Sequence, residues 1–318
     1  MAMIVAITGG SGFIGRGLVM RHLERGDEVR VLSRRPPEKS GLPDSVKWYL
    51  GDLSNSEDLQ LFVDKVDVLY HCAGEIKDTT KMEALHVDAT ARLINVATGR
   101  IGRWVQLSST GAYGQRRDGV VTEETSLNPS GIYEVTKVQS DNLVAYAANK
   151  GAFNHVILRP SIIFGETMSN RSLFSLIRSI QRGWFFFIGY PSASANYLHV
   201  DNVVNALLLC GSVAQANGQV YNLSDYRNME DFVKIISDSL GCKRPHLRIP
   251  EVLVRLLIKL LGWIPGMPLT DSRINALTNH TMYDNTKIEL DLGYKHVTPM
   301  EDGLTKLVAY WQLDRMSR

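Results

Sequence analysis

The first half of the chain alternates short apolar runs with longer segments of helical spacing. Ile4 to Ile7, Glu28 to Leu32, Val68 to His71, Trp104 to Ser108 and Val156 to Arg159 are largely apolar and bounded by Gly, Asp or Ser. That is the pattern of strands covered on both faces. Between them, Phe13 to Arg25, Asp58 to Val63, Lys81 to Thr98 and Tyr133 to Lys150 place apolar residues at helical intervals. The repetition predicts an α/β fold, a doubly wound parallel sheet with right-handed crossovers. After Pro160 the rhythm changes. A helix is expected over Ser172 to Gly183, then the apolar run Trp184 to Ile188, and a strand over Val220 to Ser224 that returns to the sheet. Residues 225–318 read as mostly helical, with Pro and Gly breaks around 262–268.

A length of 318 residues corresponds to about two domains at ~150 residues each, or one large unit with a smaller cap. With 35 Lys and Arg against 33 Asp and Glu, the formal net charge is only +2. Such a balance argues against a nucleic-acid-coating protein and against a polybasic membrane tail. Cys72, Cys210 and Cys242 lie far apart, which excludes a disulfide framework and a CxxC metal site and fits a reducing cytoplasm. None of the eight histidines has metal-ligand spacing, and no Gly-x-Ser-x-Gly elbow is present. The apolar start ends at Thr8-Gly9-Gly10 and reads as a first strand, not a signal peptide. No run reaches the ~18 apolar residues of a membrane span.

Thr8-Gly-Gly-Ser-Gly-Phe-Ile-Gly15 follows the first strand and opens a helix. Gly9, Gly12 and Gly15 suit a backbone that turns tightly, approaches a pyrophosphate and packs helix on sheet, with Phe13 and Ile14 carrying the first helical amides. The expected architecture is therefore a Rossmann domain from 1–165 and 195–224, with a smaller, mostly helical substrate-binding cap from 166–194 and 225–318. The second strand ends Ser33-Arg34-Arg35, where an NAD-preferring site carries a carboxylate for the ribose hydroxyls. The two guanidinium groups favour a 2′-phosphate and hence NADP, with NAD as the alternative. Asp52, before Leu53, is placed either to accept from the adenine amino group or to cap a helix.

Tyr133-x-x-x-Lys137 puts a phenol and an ammonium on one helix face. A neighbouring ammonium is expected to favour tyrosinate and make the phenol a usable base. Upstream, Leu107-Ser108-Ser109-Thr110 ends a strand in hydroxyl residues at the crevice edge.

Taken in order, the glycine turn, His71-Cys-Ala-Gly74, Leu107-Ser-Ser-Thr-Gly-Ala-Tyr-Gly114, Tyr133-x-x-x-Lys137, Leu158-Arg-Pro160 and Tyr197-Leu-His-Val-Asp-Asn-Val203 resemble the extended short-chain dehydrogenase/reductases. Lys287 to Tyr294 is similar to the tail of their nucleotide-sugar epimerase and dehydratase branch. The resemblance spans nearly the whole chain. It implies Tyr133 as catalytic acid/base, Lys137 as its partner and Ser109 as the hydroxyl that orients the reacting oxygen, with Ser108 and Thr110 as fallbacks. It also implies cofactor contacts from Leu53, Cys72, Ala73, Gly74, Ser108, Pro160 and Ile162, and a helix-mediated homodimer. The implied activity is NAD(P)-dependent hydride transfer, as a nucleotide-sugar 4-epimerase or 4-ketoreductase. Thr110 and Gly111 replace the acidic pair usual in the dehydratases, which disfavours 4,6-dehydration.

On the substrate side, Asn170, Arg273 and Thr110 are the residues expected to meet ligand, with Arg178 and Arg182 as further diphosphate clamps. Two apolar stretches leave a second substrate class open, a sterol- or flavonol-like alcohol. Val252 to Ile264 reads as a helix packed on the cap core or as an interfacial or lid helix. Trp184 to Phe187 reads as core or as a pocket wall. A nonenzymatic dinucleotide sensor is the remaining alternative, disfavoured by the presence of both Tyr133 and Lys137.

Overall fold

The computed structural model describes residues 2–261 and 270–316. Its first half runs β1 (Ile4–Thr8), α1 (Phe13–Glu24), β2 (Glu28–Ser33), β3 (Lys47–Leu50), α2 (Ser56–Val63), β4 (Val66–His71), α3 (Thr79–Glu83), α4 (Ala89–Ala97), β5 (Ile101–Leu107), β6 (Asp118–Val121), α5 (Ile132–Asn149) and β7 (Asn154–Pro160). The second half adds β8 (Ile162–Phe164), α6 (Ser172–Gln181), β9 (Phe187–Ile188), β10 (Ser194–His199), α7 (Val200–Ser212), β11 (Gln219–Leu223), β12 (Asp225–Asn228) and α8 (Met229–Leu240). It closes with β13 (Arg248–Ile249), α9 (Glu251–Leu261), α10 (Asp271–Leu277), β14 (His280–Tyr283), α11 (Thr286–Leu292) and α12 (Met300–Met316).

Seven parallel strands form one sheet in the order β11-β7-β5-β4-β1-β2-β3. Alternate residues leave opposite faces. Val5, Ile7, Val68, Tyr70 and Val105 meet Leu18 of α1 and Val203 and Leu207 of α7. On the other face, Ala6, Leu69 and Trp104 meet Leu59 of α2, Leu93 of α4 and Val144 of α5. Burial on both faces explains why these strands lack polar alternation. The helix expected over Lys81 to Thr98 is interrupted: a π-helical turn over Ala84–Asp88 separates α3 from α4.

A smaller sheet, β12-β10-β8, carries the cap. Ser194–His199 pairs within this sheet, and the following α7 packs on the large one. The cap core gathers Phe174 and Ile177 of α6, Phe232 and Ile236 of α8, and Leu304 and Trp311 of α12. Phe185 and Phe187 join it, whereas Trp184 is exposed. The three cysteines are free thiols. Among the described residues no helix is long and apolar enough to cross a membrane.

Of the Val252 to Ile264 stretch, residues 252–261 lie in α9, which packs Val254 and Ile258 beside Ile188 and Ile274, and residues 262–264 lie outside the described residues. Among the described side chains of α9 only Val254 is fully buried, against Ile188 and Ile274. Glu251 and Arg255 are drawn in beside Val254, while Lys259 stays exposed. Arg255 donates to Glu251 at 2.8 Å and, across to α10, to Asp271 at 3.2 Å and Asn275 at 2.7 Å. Val252, Leu253, Leu256 and Leu257 face outward instead.

The β1–α1 turn is closed by backbone contact. A Cβ on Gly15 would press into the Gly9 carbonyl and lie 2.8 Å from Gly10 Cα. Neither obstacle is a flexible side-chain end. Gly15→Ala is therefore expected to destabilise the protein by about 2 kcal/mol or more and to weaken NAD(P)H binding at least about tenfold. Thermal melts and fluorescence titration measure the two effects; a variant with wild-type values in both would contradict this packing.

Candidate active site

The glycine turn leaves the α1 N-terminus open. Its N-cap, Gly12, provides no side-chain bond, and the first turn holds no acidic residue. The first amides and the positive end of the helix dipole are thus available to an anion. Gly9 adopts φ +69, and a Cβ there would lie 2.9 Å from the Ala73 amide nitrogen, so the turn and the end of β4 touch backbone to backbone. The Ala73 amide donates to Thr8 Oγ1 at 3.2 Å. These residues fit the pyrophosphate of a dinucleotide.

At the far end of the crevice, Arg34 and Arg35 are exposed just past β2. Arg34 Nε lies 3.7 Å from Asp52 Oδ2, and the Arg35 amide donates to Ser33 Oγ at 3.1 Å. Asp52 is not a helix cap. Its Oδ1 accepts from the Ser54 amide at 2.8 Å, and Asn55 caps α2 through the Glu57 amide. Leu53 is buried.

Tyr133, Lys137 and Asp141 follow one another at four-residue intervals along α5. The buried Lys137 ammonium donates to the Leu107 carbonyl at the end of β5, which pins this face of the helix to the sheet edge. Asp141 accepts from Ser108 Oγ at 2.6 Å and faces Arg159 Nη2 at 3.5 Å. Arg159 also donates to Tyr113 Oη at 3.2 Å, and that phenol donates to Asn222 Oδ1 at 2.8 Å. Burial raises the Asp141 pKa, with Arg159 and Lys137 pulling the other way. Burial lowers that of Lys137.

Tyr133 departs from the sequence expectation. Its pKa is pushed up to about 12, first by burial and then by the charges of Asp141 and Glu134. Desolvation and these two carboxylates outweigh the ammonium on which the expectation rested.

The three adjacent hydroxyls separate by their partners. Ser108 is bound to Asp141, and Thr110 hydrogen-bonds Tyr283. Ser109 Oγ accepts from the Gly111 amide at 3.1 Å, a bond that leaves its own proton available. The turn bearing Ser109 packs on the first turn of α5, where a Cβ on Gly111 would lie 2.9 Å from Glu134 Cγ. Pro160 is buried at the end of β7, and Ile162 is exposed at the start of β8. Cys72 is half-buried next to Ala73 and Gly74, its thiol pushed up to about 12 by burial. In the cap, Asn170 accepts from the Ser172 amide at 2.9 Å ahead of α6, and Arg273 is exposed in the first turn of α10, its amide on Thr270 Oγ1. Arg182 stacks over Trp184 at 4.9 Å.

Sequence reasoning missed a buried network between β1 and α5. Thr90 spends its one proton on the His86 carbonyl at 2.6 Å. His71 Nε2, 3.1 Å from Thr90 Oγ1, must then carry a proton, and its Nδ1 must accept from Thr8 Oγ1 at 2.8 Å. Ser140 Oγ donates to Thr90 at 3.1 Å and accepts from Gln106 Nε2 at 2.9 Å. His86 lies in the π-helical turn. Its Nε2 accepts from the Glu75 amide at 2.9 Å, so Nδ1 donates to Thr136 Oγ1 at 2.8 Å. The His86 ring meets Tyr133 edge-on with centroids 5.6 Å apart. Among the described residues no His, Cys, Asp and Glu cluster forms a metal site.

Both histidines are held neutral mainly by burial, His71 pushed down to about 3 and His86 to about 4, with Lys137 adding to each. In the unfolded chain they bind a proton at the ordinary 6.5. Their contribution is complete above that value and is lost as pH falls from 6.5 toward the folded values, because unfolding takes up protons. Stability is expected to drop by on the order of 2 kcal/mol for each histidine between about pH 7.5 and about pH 5. Urea unfolding across that range, compared with a Thr90→Val variant, checks this; a flat profile would contradict it.

A model of the NAD dependent epimerase/dehydratase family matches residues 5–224. The 3beta-hydroxysteroid-dehydrogenase/decarboxylase isoform 1 of Arabidopsis thaliana is 27% identical over 95% of this chain and 78% of its own length. The 3-beta-hydroxysteroid dehydrogenase of Mycolicibacterium neoaurum is 25% identical over 96% of this chain and 91% of its own. Among solved structures, the UDP-glucuronic acid 4-epimerase of Bacillus cereus in complex with NAD superposes with a TM-score of 0.76 at 18% identity, covering 98% of this chain and 99% of that one. That last likeness is one of fold. The family match takes in the glycine turn, the Tyr133 helix and the sheet between them, and the chain belongs to the NAD dependent epimerase/dehydratase family as an NAD(P)-dependent enzyme of the short-chain dehydrogenase/reductase type.

Proposed function

We propose that the protein interconverts a secondary alcohol and its ketone, with Tyr133 moving the proton, Lys137 positioning it and Ser109 holding the reacting oxygen. The observation that carries this reading is the α5 face, where Tyr133 and a buried Lys137 stand at the edge of β5. A dinucleotide bound along the Gly9 to Gly15 turn supplies the hydride chemistry. The chain supplies the rest. With its pKa pushed up to about 12, Tyr133 holds its proton at neutral pH and gives it to a carbonyl oxygen, which suits ketone reduction. Ser109, with its proton uncommitted to Gly111, donates to the same oxygen and fixes its place. Oxidation runs the proton the other way and needs Tyr133 ionised, so it is favoured by added positive charge and by higher pH.

The substrate we favour is a hydroxysteroid-type alcohol on an apolar carrier. The support is the run of hydroxysteroid dehydrogenases among relatives aligned over nearly the whole chain. The second reading is a nucleotide sugar, favoured by the exposed Arg178, Arg182 and Arg273 and by like-folded proteins solved with UDP-glucose or UDP-glucuronic acid. The cofactor we favour is NADP, held by Arg34 and Arg35, with Asp52 turned toward the same end of the crevice.

Tyr133→Phe is expected to lower kcat by about a thousandfold while leaving NADPH binding within about twofold. Steady-state assays with 3β-hydroxysteroids and with UDP sugars, paired with cofactor titration, check both the role and the substrate. Turnover of UDP sugars alone would reverse the substrate order, and an unchanged kcat would remove Tyr133 from the chemistry. Arg34→Ala is expected to weaken NADP binding by about tenfold relative to NAD. An unaltered NADP to NAD ratio in that variant would overturn the cofactor reading.

A further inference from the structure

We propose that the outward face of α9 docks on a lipid bilayer bearing anionic headgroups. Val252, Leu253, Leu256 and Leu257 are 69%, 51%, 51% and 49% exposed. Spaced at 100° per residue, they form one unbroken apolar arc, bordered on one side by Lys259 and on the other by the buried Val254 and Ile258 stripe. Single exposed apolar residues are ordinary, but a contiguous arc on one helix marks a contact surface. The helix is not simply misoriented. Arg255 is anchored to Glu251, Asp271 and Asn275, which holds the apolar side outward.

Charge selects the occupant. Residues 178–190 and 243–260 hold seven Lys and Arg. Arg244 pairs with Asp238, Arg248 with Glu230 and Arg255 with Glu251 and Asp271, while Arg178, Arg182, Lys243 and Lys259 are in none of these pairs. Glu251 is also paired with Arg117, so these carboxylates are already engaged and the four remaining cations set the local sign. The two segments are joined by the parallel pairing of β9 with β13, which leads directly into α9. A symmetric contact with a second copy would bring this basic corner against itself. An anionic lipid surface satisfies both properties at once: apolar side chains enter the headgroup boundary while cations meet phosphates. Tyr190, 84% exposed, and Trp184, 67% exposed, flank β9 with the amphipathic rings that favour such a boundary. At 11 residues α9 lies along the surface and does not cross it. The proposal does not rest on the steroid reading.

Flotation of the full-length protein with NADPH tests it, using phosphatidylcholine vesicles with and without phosphatidylglycerol. The protein is expected to float with the anionic vesicles, less with the neutral ones, and less as salt is raised. Leu256→Ser/Leu257→Ser changes two exposed positions and is expected to cut flotation at least about tenfold with an unchanged melting temperature. Lys259→Glu is expected to reduce binding to the anionic vesicles only. A wild-type protein that stays soluble at low salt, or a double variant that floats equally well, would overturn the proposal. So would light scattering showing that the double variant halves the wild-type mass, which would give the face to a second copy.

Discussion

A hydroxyl carries one proton, and at Thr90 that proton is already committed to the His86 carbonyl. His71, Thr8 and Ser140, along the buried path from the glycine turn to α5, take their direction from this. His71 is fixed in one tautomer, Thr8 must donate to it, and the Ala73 amide is received in turn by Thr8. A single wrong proton would leave a buried donor facing a donor, at a cost of about 1–3 kcal/mol. The β1 and β4 ends that touch the dinucleotide turn are therefore tied, through oriented hydrogen bonds, to the helix bearing Tyr133.

The same burial that orders this path opposes ionisation throughout the site. It lowers the pKa of Lys137 and raises those of Tyr133 and Asp141. Asp141 has an opposite charge, Arg159, and a strong donor, Ser108, to offset its desolvation, and Lys137 has the Asp141 charge and the Leu107 carbonyl. A buried pair of this kind adds little net stability, yet losing one partner strands the other. The geometric effect of Asp141 is to engage the Ser108 proton, whereas Ser109 Oγ only accepts from the Gly111 amide.

The large sheet was readable because its chemistry is local. Strands buried on both faces must be apolar, and a backbone that touches backbone at Gly9 and Gly15 must be glycine. The spacing of Tyr133 and Lys137 likewise placed them on one helix face. What spacing does not contain is where a flexible chain ends. Lys137 reaches Leu107, and the sign of the Tyr133 shift follows from burial and from the Asp141 and Glu134 charges. For α9, amphipathicity was visible but its orientation was not. The partners that draw Arg255 inward, Asp271 and Asn275, lie on a separate helix. The role of His86 depends on contacts with Glu75 and Thr136, and no periodicity announces a π-helical turn.

That turn has a consequence for how the chain can vary. Upstream, Met82 is buried and His86 is bonded to α5; downstream, Leu93 is packed under the sheet. Both ends are clamped, so the wider turn between them absorbs a fixed phase offset of about one residue, some 100°. Deleting any residue from 84–88 would rotate one clamped end against the other. His86 is fixed by its bonds to Glu75 and Thr136, and beyond that residue it is the length of the segment that is locked.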